Sequence, residues 1–421
     1  MFFCPVDIFS ADLPVIFYTD VTNGPGTGGE NNQGCYLSIF GKNFGASQGS
    51  SSVTIGGGEA AAYKFWSDTR VSIQIGSNAA TGSIVLTTSA GTVTGPDAFT
   101  VRSGNIYFVS YNGSDTTGNG SFSSPYRTPN KVFGSLPAGV GSAGDFLYIR
   151  GGTYDLDAGT ERLQQNSWLN ASISGSSGNH CVFSAYPGET VTIKLDSSSY
   201  YAWSQTTGTD LVSYWVVADF HTDITSSTGM PWRFGWVSDD TRKVSYFRVI
   251  NLDIQGGGNS ETDATPFETG RMAESKLLGI RVHDSARTGP SNTPFISMGG
   301  EEITDTEIGW CTIEDCTFGS AALQIQCDGT GKDIDNITIH DCIIHDVPDQ
   351  AILTGSNTKD ITFYNNIIYN TNLSLTADNA VISCRGNGGS NPAFYNNTIY
   401  ASSGTGIFEL SNVRLSFCIR L

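Results

Sequence analysis

Carboxylate side chains that could cleave a sugar linkage cluster in the second half of the 421-residue sequence. Adjacent Glu301 and Glu302 follow "PFISMGG", Asp328 follows "ALQIQC", and Asp349 lies in "VPDQ". Hydrolysis of a glycosidic bond uses two carboxyl groups, one as acid and the other as base or nucleophile. The sequence therefore offers Glu301 or Glu302 with Asp328, or Asp328 with Asp349, as candidate catalytic pairs.

Basic side chains in the same segments suit a different reaction. Elimination needs a Lys, Arg or His base, together with a cation that neutralises a uronate carboxylate. Arg385, Arg287 and His345 are the candidate bases. The Asp-rich segments beside them could hold Ca²⁺, but the sequence does not identify which residues would bind it. "HD" occurs both at 283–284 and at 345–346, and this repetition also fits a series of equivalent turns.

Other side chains suit the binding of sugars rather than their cleavage. Trp232 and Trp236 lie beside Gly and Pro in "GMPWRFGWVSDD", which favours exposed loop residues that stack on sugar rings. The alternative is a set of aromatic residues packed inside the fold. The candidate residues for hydrogen bonds to sugar hydroxyls are Arg287, Gln324, Gln326 and His345.

Composition excludes several classes of partner. The 22 Lys and Arg residues against 40 Asp and Glu residues give a net charge of −18, which disfavours nucleic acid and anionic membranes. No apolar run is long enough to span a bilayer. The sequence contains no HExxH or P-loop motif, and no "NTD" with "GHG" of the polygalacturonase type.

Short apolar segments separated by Asn or Asp repeat in the C-terminal part of the chain. "CTIEDCTFG", "ITIHDCIIH", "ITFYNNIIY" and "PAFYNNTIY" align so that one column holds Asp315, Asp341, Asn365 and Asn396. The spacings in this column are 26, 24 and 31 residues, which predicts stacked coils. Because Asn tolerates the left-handed conformation and can hydrogen-bond to its copies, we interpret the column as a structural ladder. Cys316 and Cys342 would stack in the next column.

A second set of strands follows each repeat and is the predicted binding groove. These strands are predicted at residues 295–299, 323–327, 352–356, 381–385 and 407–410. Alternation along a strand would turn Phe295, Leu323, Ile352 and Val381 inward. It would turn Gln324, Gln326, Leu353 and Cys384 outward.

The N-terminal part has a different pattern. "YLSIFGKNFG", "SSVTIGG", "WSDTRVSIQIG" and "PDAFTV" are short strands separated by Gly, typical of a β-sandwich. These segments resemble an IPT/TIG domain, which has an immunoglobulin-like fold. The resemblance implies a spacer or binding module and no catalytic residues.

The stretch "GNIYFVSYNGSDTTGNGSFSSPYRTPNKVF", with "GDFLYIRGGTYD", follows the sandwich. It resembles the opening of secreted right-handed parallel β-helix proteins of the pectate-lyase-like superfamily. In such proteins polysaccharides lie along the outward face of one column of strands. We therefore predict an all-β protein with an N-terminal segment (1–12), an Ig-like β-sandwich (13–102) and a right-handed parallel β-helix (103–421). The final "NVRLSFCIRL" breaks the pattern and is interpreted as a cap or the cut end of a longer helix.

These features together predict an extracellular or cell-surface carbohydrate-active enzyme, although "MFFCPVDIFSADLP" lacks the pattern of a secretory signal. Hydrolysis by paired carboxylates is favoured over Ca²⁺-dependent elimination, because an acidic surface repels a uronic-acid polymer. The alternatives are a polysaccharide lyase, a non-catalytic glycan-binding adhesin and a trimeric tail-spike-like protein. The sequence leaves the sugar, the metal requirement and the oligomeric state open.

Overall fold

The computed structural model describes most of the chain. It describes residues 12–134, 138–156, 167–195, 201–205, 211–224, 231–235, 243–257, 265–285, 296–299, 302–316, 321–326, 333–348, 350–355, 357–371, 380–390, 392–400, 408–413 and 416–418. At residues 205, 385–390, 408–413 and 416–418 it describes the backbone alone. Strands dominate throughout, so the all-β prediction is confirmed.

Two antiparallel sheets form the N-terminal sandwich. Its strands are β1 (Val15–Thr19), β2 (Asn23–Pro25), β3 (Tyr36–Lys42), β4 (Ser52–Ile55), β5 (Gly58–Glu59), β6 (Ala62–Trp66), β7 (Arg70–Gln74), β8 (Gly82–Thr88) and β9 (Gly91–Arg102). One sheet has the order β1-β3-β7-β6, and the other has the order β2-β9-β8-β4-β5, where only the β2–β9 pair is parallel. A 3-10 helix spans Glu30–Asn32. Leu37, Ile39, Val53 and Phe99 are fully buried between the sheets, as the predicted sandwich requires.

The rest of the chain is built from short strands that pair in parallel. The first of them are β10 (Ile106–Val109), β11 (Phe146–Ile149), β12 (Gly152–Asp155), β13 (Ser167–Ala171), β14 (Cys181–Ala185), β15 (Val191–Lys194), β16 (Tyr201–Gln205), β17 (Trp215–Ala218), β18 (His221–Ile224) and β19 (Trp232–Phe234). A single-turn helix, α1 (Asn130–Phe133), lies between β10 and β11.

The middle coils contain β20 (Val244–Ser245), β21 (Phe247–Ile250), β22 (Asp253–Gly256), β23 (Phe267–Thr269), β24 (Met272–Leu278), β25 (Arg281–His283), β26 (Ile296–Gly299), β27 (Ile303–Gly309), β28 (Thr312–Ile313) and β29 (Ala321–Gln326). The last coils contain β30 (Ile334–His340), β31 (Ile343–Val347), β32 (Gln350–Thr354), β33 (Ile361–Tyr364), β34 (Ile367–Thr371), β35 (Ile382–Ser390), β36 (Ala393–Tyr395), β37 (Thr398–Tyr400), β38 (Phe408–Val413) and β39 (Ser416–Cys418).

From β11 onward the strands belong in turn to three sheets, which makes a parallel β-helix. In the described part of the chain, the first sheet has the order β10-β11-β14-β17-β21-β24-β27-β30-β33-β36-β39, with β20 also pairing to β24. The second sheet has the order β12-β15-β18-β22-β25-β28-β31-β34-β37. The third sheet has the order β13-β16-β19-β23-β26-β29-β32-β35-β38. Apolar side chains such as Phe183, Val249 and Ile339 fill the interior.

A ladder of left-handed residues turns the chain from the first sheet to the second. Its members have φ between 52° and 69° and are Asp219, Asn251, Gly279, Trp310, Asp341, Asn365 and Asn396. The amide of Asn396 donates to Asn365 Oδ1 at 2.5 Å, and that of Asn365 donates to Asp341 Oδ1 at 3.4 Å. The predicted polar ladder is therefore confirmed.

The predicted place of Asp315 in the column of Asp and Asn residues is wrong. Ile313 pairs with Ile344 rather than with Ile339, so Asp315 lies at the corner that Asp346 occupies in the next coil. The ladder position belongs to Trp310, and Cys311 rather than Cys316 adjoins Cys342. The alignment failed because the coil carries Trp where later coils carry Asp or Asn. The six cysteines whose side chains the structure describes are buried, with free thiols.

The sandwich packs against the outward face of the first sheet. Phe146, Tyr148 and Leu278 of that sheet share one apolar core with residues of the sandwich. The Arg248 guanidinium donates to the backbone carbonyls of Thr19 and Asp20 at 2.5 and 3.0 Å. The two domains are therefore held by both apolar and polar contacts.

Candidate functional site

The predicted groove strands do form one parallel sheet, the third sheet, with a small shift in register. Leu323 pairs with Ile352 as expected, but Ile352 then pairs with Ile382 rather than aligning with Val381. Because one residue of shift exchanges the two faces of a strand, Cys384 is turned inward and buried rather than outward. Phe295 lies outside the described residues.

The outward face of the third sheet presents a row of polar side chains. The row runs in register from β19 to β29 and consists of Arg233, Glu268, Ser297 and Gln324; the apolar Leu353 follows in β32. On each strand the neighbouring residues, such as Phe267 and Ile296, are buried in the helix interior. Adjacent strands lie ~4.8 Å apart, so these side chains line up along the helix axis.

An ion pair lies within this row. Arg233 Nε is 2.8 Å from Glu268 Oε2, and only 24% and 11% of the two side chains are exposed. Two coils on, Gln324 Nε2 donates a hydrogen bond to Gln326 Oε1 at 2.6 Å. A charged pair and two amides on one face can bind and orient a polar polymer.

The sequence analysis missed Arg233 and Glu268. A signal was present, because "TPF" occurs in both "ATPFETG" and "NTPFISMGG" and the two segments pair as β23 and β26. Treating the first segment as one more groove strand would have identified Glu268.

Of the predicted catalytic carboxylates, Glu302 alone has a side chain that the structure describes. Glu302 immediately precedes β27, at the border of the third sheet, and its carboxylate is 2.6 Å from Lys243 Nζ. Arg385 lies in β35, where only the backbone is described. Outside the described residues lie Glu301, Asp328, Asp349, Arg287 and Trp236.

The prediction that Trp232 is an exposed stacking residue is wrong. Trp232 lies in β19, is fully buried, and donates from its indole N–H to Thr222 Oγ1 at 2.9 Å. It packs near Phe220 and Phe234, with ring centroids 5.6 and 6.4 Å away. The alternating pattern of β19 directs Trp232 and Phe234 inward and Arg233 outward. Trp232 therefore belongs to the aromatic interior that the sequence left open as the alternative.

His345 lies on the second sheet and does not join Gln324 and Gln326. Its Nε2 is 2.9 Å from Glu314, its Nδ1 is 2.6 Å from Asp346, and its ring stacks on Tyr369 at 4.6 Å. Asp284 and Asp346 both have positive φ, which agrees with the interpretation of "HD" as a repeated turn.

The second sheet carries further charged pairs on its outward face. Asp253 lies 2.8 Å from His221 and 3.1 Å from His283, and Arg281 lies 2.5 Å from Glu314. Burial raises the pKa of Asp253, but the hydrogen bond from His221 and the charges of His283 and Arg281 outweigh it and leave the pKa below its ordinary value. These ion pairs link neighbouring coils along this face.

A cavity of about 480 Å³ lies on the first sheet, beyond the sandwich. Glu307 lines it, 2.7 Å from Lys276 and 3.1 Å from His340. Burial raises the pKa of Glu307, but His340 and Lys276 outweigh it and bring the pKa down to about 2. A carboxylate this firmly ionised is a poor general acid near neutral pH.

The described residues include no group of three or more His, Cys, Asp or Glu side chains placed to hold a metal ion. Calcium dependence stays a prediction.

No helix in the described part of the chain is both long enough and apolar enough to cross a membrane.

Family models match both parts of the chain. Residues 24–101 match the IPT/TIG domain, and residues 277–419 match the right handed beta helix region. The protein carries an IPT/TIG domain followed by a right-handed β-helix. The resemblances that the sequence indicated for the two parts are thus confirmed.

Carbohydrate-active enzymes are among the solved structures similar to this IPT/TIG and β-helix protein. A rhamnogalacturonan lyase is 14% identical with a TM-score of 0.39, covering 71% of this chain and 69% of the other. A GH136 lacto-N-biosidase from Eubacterium ramulus is 10% identical with a TM-score of 0.40, covering 73% and 68%. Pectate lyase Pel9A is 12% identical with a TM-score of 0.32, covering 74% and 79%. Such low values carry no argument about activity, and no curated protein matches the sequence.

Proposed function

We propose that the protein cleaves glycosidic bonds of a polysaccharide that lies along the outward face of the third sheet. The observation that supports the proposal is the in-register row of Arg233, Glu268, Ser297 and Gln324. Each coil from β19 to β29 adds one polar side chain at a repeat of ~4.8 Å, so a linear polymer parallel to the helix axis meets a hydrogen-bonding group at each of these coils. Such a polymer is met outside the cell, which agrees with the extracellular or cell-surface location proposed from the sequence.

Glu268 is the side chain best placed to take part in the reaction. In hydrolysis one carboxylic acid protonates the glycosidic oxygen as the bond to carbon breaks, and a carboxylate removes a proton from water or attacks the sugar. We assign Glu268 to the carboxylate role, since the guanidinium of Arg233 at 2.8 Å favours a negative charge there, and we assign Arg233 to its orientation. For the second carboxyl, Glu302 lies at the border of the sheet, and Glu301, Asp328 and Asp349 stay candidates from the sequence.

The ion pair between Arg233 and Glu268 favours hydrolysis over elimination. An eliminating enzyme must neutralise the uronate carboxylate of its substrate with a cation. Glu268 already balances the charge of Arg233 at 2.8 Å, so the row of side chains offers less attraction to a uronate. Elimination would need Ca²⁺ or another base, such as Arg385 or Arg287 from the sequence prediction.

An assay with two readouts tests the proposal. The protein is incubated with neutral and uronic-acid polysaccharides, with and without Ca²⁺, while reducing ends and the ultraviolet absorbance of a new C=C bond are followed. Reducing ends without absorbance support hydrolysis, whereas both signals together identify a lyase. Silence in both readouts with retained polysaccharide binding would instead identify a glycan-binding adhesin.

Two glutamate variants connect the activity to the third sheet. Glu268→Gln keeps the shape of the side chain but cannot supply a proton or a negative charge, so turnover is expected to vanish. Glu59→Gln is the matched control, because Glu59 is exposed on the distant sandwich. Equal turnover by Glu268→Gln and the wild type would refute the role given to Glu268.

A further inference from the structure

A second cavity lies at the junction between the IPT/TIG domain and the first sheet of the β-helix. Its volume is about 360 Å³. The domain and the helix both contribute walls, among them Phe17, Phe40, Phe65, Arg70, Asn251 and Trp310. With Tyr18 included, five aromatic rings, one guanidinium and one amide surround a single space.

Trp310 has an unusual backbone conformation for its size. Its φ is 54°, a left-handed conformation that is unfavourable for bulky side chains. The other members of the same ladder are Asp219, Asn251, Gly279, Asp341, Asn365 and Asn396. Since small polar residues or Gly make this turn in every other described coil from β17 onward, the fold of the helix does not itself require tryptophan here.

Packing between the domains accounts for part of the role of Trp310. Its ring stacks on Phe17 at 5.5 Å and lies 5.0 Å from Tyr18, both in β1 of the sandwich. Packing does not account for Phe65, which also lines the cavity and remains 41% exposed. An exposed ring at the mouth of a cavity is a surface available to a ligand.

The polar groups of the cavity are held in fixed positions. Arg70 Nη2 lies 2.8 Å from Asp219 Oδ2, and the guanidinium lies 5.5 Å from the centre of the Phe65 ring. Asn251 donates from its amide to Asp219 Oδ1 at 2.8 Å. Because Asp219 balances the charge of Arg70, the cavity offers hydrogen bonds without a strong attraction to anions.

We propose that this junction cavity is a second carbohydrate site that binds one sugar ring of a neutral glycan. Aromatic side chains pack on the apolar C–H face of a sugar, while Arg70, Asn251, Ser67 and Thr69 can meet its hydroxyls. The volume lies near the lower end of the ~300–1,000 Å³ typical of ligand sites, which suits a single ring. The site is on the first sheet, so it does not depend on cleavage at the third sheet.

Binding of simple sugars tests the proposal. Glucose, galactose, rhamnose, xylose and N-acetylglucosamine are the probes, detected by saturation-transfer NMR and by quenching of tryptophan fluorescence. At least one of them should bind the full-length wild type and equally bind Glu268→Gln. Phe65→Ala should weaken this binding at least tenfold without a change in the unfolding midpoint, because the ring is exposed.

Two further variants separate binding from packing. Trp310→Asn places at the corner the residue that the ladder uses elsewhere, so the coil should fold while sugar binding is lost. Tyr400→Ala removes an exposed ring of the second sheet and should bind like the wild type. The proposal is wrong if none of the five sugars binds, or if Phe65→Ala binds like the wild type. Loss of binding in Glu268→Gln alone would place the sugar in the third-sheet groove and would equally refute the junction site.

Discussion

Arg233 and Glu268 face each other directly across two adjacent parallel strands, with the guanidinium Nε 2.8 Å from the carboxylate oxygen. The pair is mostly shielded from water, and the attraction between opposite charges is stronger in such surroundings than in bulk water. Arg233 therefore fixes the position and the charge of Glu268 on the proposed substrate face.

Replacement of Arg233 should lower catalysis more than it lowers stability. For Arg233→Ala we expect kcat/KM to fall about 10²-fold, similar to the loss of one fixed hydrogen-bond donor at an active site. Arg233→Lys should recover part of the loss, since it keeps the charge but not the planar geometry. Initial rates of reducing-end release measure the effect, and an unchanged kcat/KM in Arg233→Ala would contradict it.

Acid should destabilise the protein partly through Glu307. Its pKa falls from 4.5 to about 2 in the folded state, so its contribution to stability is complete above pH 4.5 and is lost as the pH falls towards 2. Denaturant midpoints measured from pH 6 to pH 2 should therefore decline less steeply for Glu307→Gln than for the wild type. Parallel declines in the two proteins would show that Glu307 does not contribute.

The contribution of Asp20 to stability should have the opposite pH dependence, being greatest at low pH. Burial, followed by the nearby charge of Asp219, raises the pKa of Asp20 to about 7, above the ordinary 3.8. A raised carboxyl pKa stabilises the folded state at low pH, and this contribution is lost between about pH 4 and pH 7. Asp20→Asn should remove this decline, which thermal unfolding between pH 4 and pH 8 would show. A variant with the same pH dependence as the wild type would contradict the prediction.

Asn366 should contribute more to stability than its exposed neighbour Asn365. Its side chain is buried, accepts from the Cys342 N–H at 3.0 Å and donates to the Ile339 carbonyl at 3.0 Å. Asn366→Ala leaves both backbone groups without this partner, at an expected cost of about 1–3 kcal/mol. Asn365→Gly is the control, because Gly adopts the left-handed conformation freely and should change the free energy of unfolding little. Chemical denaturation of the two variants makes the comparison.

The stacked coils could be predicted because each short segment of the sequence contains the pattern that determines its own coil. "ITIHDCIIH", "ITFYNNIIY" and "PAFYNNTIY" contain both strands and the turn between them, so the pattern alone gives their register. Asp315 was misplaced because the decisive residue, Trp310, does not resemble the Asn and Asp residues of the same ladder. Its place depends on contacts with Phe17 and Tyr18, almost 300 positions away.

The groove was harder to predict than the ladder. The connections between second-sheet and third-sheet strands vary in length, so spacing does not fix which residue faces outward. The prediction that Val381 aligns with Ile352 is therefore wrong by one residue, since Ile382 occupies that position. The prediction of an exposed loop at Trp232 is wrong because Trp232 alternates with Arg233 in a strand. Glu268 faces outward because its neighbour Phe267 pairs with Ile296 and fills the interior.

The shared core between the sandwich and the first sheet makes the two domains one cooperative unit. Phe146 and Tyr148 belong to the β-helix by chain position, yet they are buried beside Cys35 and Tyr36 of the sandwich. Separation of the domains would expose these rings to water and would leave the guanidinium of Arg248 without the carbonyls of Thr19 and Asp20. The IPT/TIG domain is therefore not a detachable tether, and a single melting transition should report on both domains together.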